Sequence, residues 1–137
     1  MRLSARPLID VANVNVFRPA TVWQFTESDA SYLYFQLIDE SLDTAAEGFN
    51  PPGRRYCPVS GATLSVTFTS VDVLKELARS ATQPFTEDKS IWRVQTLSTD
   101  ILRGSLTMQL TLTEASGNII RGILQPAACV RSRYLTR

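Results

Sequence analysis

The chain predicts an all-β domain, an antiparallel β-sandwich of about seven to eight strands with one short helix. Three observations carry this. TLSVTFTS (Thr63–Ser70) and SLTMQLTLT (Ser105–Thr113) alternate strictly between apolar and hydroxyl or amide residues, the two-residue period of a half-buried strand. Turn signals recur at close spacing along the chain. The several crossover helices that a parallel α/β fold needs are missing from the pattern. A small barrel is the alternative architecture.

The elements follow in order. VANVNVF alternates Ala12, Val14 and Val16 against Asn13, Asn15 and Phe17, and the RPA that follows breaks the run, because proline cannot donate to a sheet ladder. TVWQF reads as a short strand and TESDAS as a polar turn. YLYFQLID sends Leu33, Phe35 and Leu37 inward and Tyr32, Tyr34 and Gln36 outward. From Glu40 to Pro58 no period survives, and Pro51, Pro52 and Pro58 mark a long loop; such loops in small domains tend to serve function or contact. In VDVLKELARS, Asp72 is placed to cap a helix whose Val73, Leu74, Leu77 and Ala78 share one face. QPFTEDKS is a turn, and IWRVQTL a strand with Trp92 and Val94 buried. STDILRG turns the chain again. EASGN, with Gly117 and Asn118, closes a hairpin between Ser105–Thr113 and IIRGIL. Pro126 interrupts, and ACVRSRY is a last strand with a basic outer face, on which Cys129 lies out of phase with Val130. The predicted core is Leu33, Phe35, Leu37, Leu64, Val66, Phe68, Trp92, Val94, Leu106, Met108, Leu110 and Leu112.

The length, 137 residues, suits one domain, read as 1–137 with N-terminal and C-terminal extensions. The formal net charge is +1, too small a field to steer nucleic acid or an anionic membrane. Of the 14 basic residues only Lys75 and Lys89 are lysine, and arginine is the more interface-prone of the two, although a GC-rich genome explains the bias equally well. No apolar run reaches the roughly 20 residues of a membrane span, and MRLSARPLID has too short an apolar run for a signal peptide. Synthesis in a cytosol follows as the expectation. Cys57 and Cys129 make no disulfide framework and are read as reduced.

There is no histidine. That excludes Ser-His-Asp and Cys-His nucleophilic sites, His-ligated zinc, and the commonest general base near neutral pH. Other chemistry is thin. Glu87 and Asp88 are adjacent on a turn and point apart. Asp39, Glu40, Asp43 and Glu47 form an acidic group without the ligand spacing or central glycine of a calcium loop, so solvation accounts for it better. PVSGA around Ser60 is not a G-x-S-x-G elbow, and no glycine-rich phosphate loop is present. The expectation is a non-enzyme without cofactor or metal. Phe49, Arg54, Arg55, Tyr56, Arg131 and Arg133 combine aromatic and arginine side chains in segments without core periodicity. They read as partner-binding residues of a protein interface in preference to a nucleic-acid patch, and residues 1–10 join them as a terminal contact segment.

The order TVWQFTESDASYLYFQLID, RRYCPVSGATLSVTF, QPFTEDKSIWRVQTL and GSLTMQLTLTE resembles small structural proteins of tailed-phage virions. It is also similar to the N-terminal β-sandwich domain of phage upper-baseplate proteins, which anchors receptor-binding parts to the tail. The likeness spans roughly Thr21 to Asn118 and lies in strand patterns, not in a chemical signature. Those upper-baseplate proteins continue into a linker and a second domain; this chain ends, which suits a stand-alone adaptor, collar or decoration protein. The resemblance implies a virion location after synthesis in the host cytoplasm. It also implies other virion proteins and copies of the same chain as partners, in the tail, baseplate or neck. A capsid decoration protein of the same fold is the near alternative. A sugar- or peptide-binding β-sandwich module, with exposed Tyr32, Tyr34 or Tyr56, is the alternative from another class.

Threonine-lined strand faces bear on this choice. They cost less to desolvate than charged faces and suit subunit packing, where interface cores are depleted of charge. Threonine is also simply a good strand former on a wet face.

Overall fold

The computed structural model describes residues 2–10, 17–20, 22–26, 31–41, 54–70, 75–96 and 104–131. Their strands are β1 (Leu3–Asp10), β2 (Phe17–Pro19), β3 (Trp23–Thr26), β4 (Ser31–Asp39), β5 (Arg54–Arg55), β6 (Thr63–Ser70), β7 (Lys75–Ala81), β8 (Ile91–Thr96), β9 (Gly104–Thr113) and β10 (Ile119–Arg131). They form one largely open sheet in the order β5-β4-β1-β10-β9-β6-β7, with β8 paired to β4, β2 to β1 and β3 to β10. The sheet is mixed where the sequence predicts it antiparallel. β10 runs parallel to β1 at Leu3↔Gly122 and parallel to β3 from Ala128↔Trp23 to Arg131↔Thr26. The outer edges of β7 and β8 meet at one bridge, where Thr82 N donates to Arg93 O at 2.9 Å and Arg93 N donates to Thr82 O at 2.8 Å.

All twelve predicted core residues are buried, from Leu33 on β4 to Leu112 on β9. The period-two pattern explains this directly. β6 and β9 pair along their whole length, Thr63↔Thr113 to Ser70↔Leu106, so both apolar faces fall on the same side. Leu3, Ala5, Trp23, Ala127, Ala128 and Val130 join the core from segments whose burial the alternation does not announce. Trp23 connects the two halves of the sheet. Its ring lies edge-on to Phe35 on β4 (5.9 Å between centroids) and to Phe68 on β6 (6.4 Å), and its Nε1 donates to Tyr34 O at 3.0 Å. Burying Phe35 and Phe68, both under 2% exposed, contributes about 1.5–3 kcal/mol each.

Two expectations are corrected. The predicted helix over VDVLKELARS is absent where the chain is described: Lys75–Ala81 is strand β7, paired to β6 from Ser70↔Lys75 to Leu64↔Ala81. Its proposed cap Asp72, with Val73 and Leu74, lies outside the described residues. The physical reason is an ambiguity of spacing. Leu77 and Ala78 share a face only in a helix; in β7 they alternate, Leu77 half buried beside Phe68 and Ala78 exposed beside Thr67, so a short apolar run serves either element. The unpaired hydrogen-bonding edge of β6 then decides between the two, because its backbone groups need partners. Residues 1–10, expected as an extension, supply β1, a strand flanked by β4 and β10. Pro7 is tolerated there because its backbone faces β2, where its carbonyl accepts from Ala20 N at 2.7 Å, so no bond to β4 is lost.

Smaller differences follow the same logic. Pro126 does not end the last strand; β10 continues through it with a register shift between Leu124 and Ala128. Pro19 lies within β2 instead of simply breaking a run, and of the expected strand VANVNVF (residues 11–17) only Phe17, which begins β2, lies among the described residues. Gly117 carries the EASGN hairpin turn with φ +93°.

Candidate interaction surfaces

The outward side chains of β10, β9, β6 and β7 line up in rows across four strands. One row is Ile119, Thr113 and Thr63; the next Arg121, Thr111, Ser65 and Ser80; then Ile123, Gln109, Thr67 and Ala78; then Thr107, Thr69 and Glu76. The rows exist because the inward neighbours on β9 and β6 are apolar from Leu64 to Phe68 and from Leu106 to Leu112, so each outward position is fixed by the core register. The interior of this face carries no charge. Arg121 and Glu76 stand on its two marginal strands, and Ile119 and Ile123 are half exposed, at 50% and 52%. Two hollows indent it and share Thr111. One, of about 530 Å³, is lined by Arg2, Leu3, Gln109, Leu110, Thr111, Arg121, Gly122 and Ile123. The other, of about 430 Å³, is lined by hydroxyls including Thr63, Ser65, Ser80, Thr82 and Thr113, together with Gln83, Lys89 and Trp92.

A second surface covers the outward side of β1, β4 and β8. Its rows are Leu8, Tyr34 and Arg93, and Arg6, Gln36 and Ile91, with Tyr32 beside Gln95. Arg93 places its guanidinium carbon 4.3 Å from the Tyr32 ring centroid and donates from Nη1 to Tyr34 Oη at 3.3 Å. Phe85, from the turn before β8, stacks on Tyr34 at 6.3 Å. Tyr32 remains 49% exposed.

Beneath this platform runs a polar network. Asp88 Oδ1 accepts from Ser90 N (3.0 Å) and Ser90 Oγ (2.5 Å), Ser90 Oγ accepts from Gln36 Nε2 (3.1 Å), and Arg55 lies 3.5 Å from Asp88. Burial, and then the like charge of Arg55, hold the Arg6 guanidinium below its ordinary pKa.

Among the described residues, the sequence-predicted partner residues fall on separate strands, β5 with the residues after it and the end of β10. Phe49 and Arg133 lie outside the described residues. Arg54 and Arg55 form β5, paired to Asp39 and Ile38, and Arg55 is exposed beside Asp88. Tyr56 is half buried against the core, with its hydroxyl donating to Glu114 Oε2 at 2.8 Å; burial and then that carboxylate raise its pKa. Arg131 closes β10 beside Thr26 of β3. Cys129 is exposed, as its phase against Val130 predicts, and Cys57 is exposed as well, both as free thiols.

Of the acidic group, Asp43 and Glu47 lie outside the described residues. Asp39 is committed locally: its Oδ1 accepts from Ser41 Oγ (2.6 Å), Ser41 N (3.0 Å) and Arg2 N (3.2 Å). Burial pushes its pKa up, but these hydrogen bonds outweigh burial and hold the carboxyl below the ordinary value. Among the described residues no group of three or more His, Cys, Asp or Glu side chains is placed to hold a metal.

The platform residues Phe85 and Arg93 escape a reading by period. Phe85 sits in a turn, and Arg93 is an ordinary outward position of its strand. Ile119, Arg121 and Ile123 were legible, since IIRGIL puts them on one outward face.

No family model matches the chain, and no curated protein matches it. Among solved structures it is similar to CopC from Methylosinus trichosporium OB3b, at 9% identity and a TM-score of 0.43, over 95% of this chain and 97% of that chain. A likeness that low bears on neither fold family nor function.

Proposed function

We propose that this chain is a non-enzymatic structural protein of a tailed-phage virion, a sandwich-like β-domain that binds other virion proteins in the tail, baseplate or neck. The observation that supports this reading is the four-strand outer face of β10, β9, β6 and β7. Short hydroxyl and amide side chains are cheap to desolvate, and the half-exposed Ile119 and Ile123 supply apolar contact area, which together suit the charge-depleted centre of a protein interface. A capsid decoration protein would use the same face.

The test is mass spectrometry of tailed particles purified from a culture carrying the gene, with the wild-type chain and with Thr67→Lys. Recovery of the wild type in stoichiometric copy number and loss of the variant supports the reading. Absence of the chain from intact particles overturns it. Thr67→Lys sits mid-face and leaves the melting behaviour within about 0.5 kcal/mol of wild type.

A second reading has its own observation. The Tyr32, Tyr34, Phe85 and Arg93 platform presents an exposed aromatic face of the kind a sugar- or peptide-binding module uses. Glycan-array binding lost on Tyr32→Ala, with no chain in particles, favours this alternative.

A further inference from the structure

We infer that the hydroxyl face is a docking groove for the acidic segment of a second copy of the same chain, so that copies associate head to tail. This rests on the docking reading above and names the partner.

The charges point this way. Every charged side chain lining either hollow is basic: Arg2 and Arg121 in one, Lys89 in the other. Arg121 and Lys89 have no ion-pair partner among the described residues, and Arg2 has only a loose, exposed contact to Glu40 at 3.8 Å. Trp92 lines the second hollow with an Nε1 that is buried and without a hydrogen-bond partner among the described residues. The sequence supplies the complement. From Asp39 to Gly53 the chain holds Asp39, Glu40, Asp43 and Glu47 and no basic residue.

The lengths agree as well. Arg121, Thr111, Ser65 and Ser80 stand on four adjacent strands, a span of roughly 14 Å at about 4.8 Å per strand. Asp43 and Glu47 are four residues apart, about 13 Å when extended. Docked across the strands, one carboxylate meets Arg121 at the first hollow and the other reaches Ser80 at the second, which Lys89 also lines, with threonine and glutamine donors between them. The acidic segment is a different stretch of the chain from the strands that form the groove, so the contact is heterologous and propagates into a ring or a filament.

The test is sedimentation velocity of the full chain at about 0.05 M and about 0.5 M salt. Three proteins are compared: wild type, Arg121→Glu/Lys89→Glu, and Asp43→Lys/Glu47→Lys. The wild type is expected to associate at low salt, each double variant to weaken association by roughly tenfold or more, and an equimolar mixture of the two variants to recover it. Melting curves confirm that both variants fold.

A wild type that stays monomeric at low salt overturns the inference, as does association that neither variant weakens. A monomeric wild type whose acidic segment covers its own groove counts against it too; in that case a labelled peptide of residues 39–50 binds Asp43→Lys/Glu47→Lys and not the wild type. Failure here is separable from failure of the virion reading, because a monomeric chain still recovered in particles removes only the self-association.

Discussion

On the outer face of β9 and β6 the side chains are short, and no hydrogen bond joins one row to the next among the described residues. On the outer face of β4 and β8 they are long, and they are committed to one another: Arg93 to Tyr32 and Tyr34, Phe85 to Tyr34, Gln36 to Ser90, Arg55 to Asp88. Both faces belong to one sheet and arise from the same alternation. What separates them is what lies above. The turn of residues 83–90 folds onto the β4–β8 side and supplies Phe85, Asp88 and Ser90 as local partners. Gln83 and Lys89 of the same turn line the hollow beside Thr111, but no described residue gives Thr111, Thr67 or Gln109 a side-chain hydrogen bond in that way. A surface whose polar groups are already paired gains little by docking. A surface of short unpaired hydroxyls with two exposed isoleucines has more to gain.

Four experiments break or sharpen this contrast. The largest effect is expected where both faces depend on the same packing. Phe68→Ala removes the ring that meets Trp23 and should cost about 3–5 kcal/mol, read by denaturant unfolding, because the cavity refills only partly. Full retention of stability would mean that the two halves do not share a core.

Next comes Gly122→Ala, at the one register pair between β1 and β10, where the β4–β1 half meets the β10–β9 half away from the Thr82–Arg93 bridge. A Cβ there lies 2.2 Å from Leu3 O, a backbone atom that cannot step aside without moving β1. A loss of about 1–3 kcal/mol is expected, with hydrogen exchange rising first along β1. Unchanged protection of β1 would show that the halves are joined elsewhere.

The third is a pH effect at the β4 end of the platform side. Asp39 has a folded pKa below its ordinary value, so its stabilising contribution is present above the ordinary carboxylate range and lost as pH falls through the folded value. The melting temperature should drop below about pH 4, and Asp39→Asn should make that acid limb shallower. An identical limb in the variant would remove Asp39 as the anchor of Arg2 and Ser41.

The smallest effect is expected on the platform surface. Arg93→Met loses the contact over Tyr32 and should cost about 0.5–1 kcal/mol without altering assembly of the chain. Loss of assembly with that variant would exchange the roles of the two faces.

The sequence by itself determined the strands with strict alternation and the direction of their side chains. Leu33 to Leu37, Leu64 to Phe68, Trp92 to Val94 and Leu106 to Leu112 are core because a period of two leaves one face for the interior. The hydroxyl rows follow from the same period and were legible for that reason. What the sequence left undetermined has one physical cause: those choices depend on distant neighbours, not on local pattern.

Leu77 and Ala78 were spaced for a helix face, and the free edge of β6 made β7 a strand that puts them on opposite sides. Leu3 to Asp10 is too irregular to announce itself, with Pro7 inside it, and it became a strand because β4 and β10 each offer it a pairing edge. The partner residues expected from composition, Tyr56 and Arg55, have contacts that no local pattern announces, to Glu114 and Asp88, which lie 58 and 33 positions away in the chain. Which outer face has its polar side chains paired was decided only in three dimensions, by where the turn of residues 83–90 comes to rest and supplies Phe85, Asp88 and Ser90.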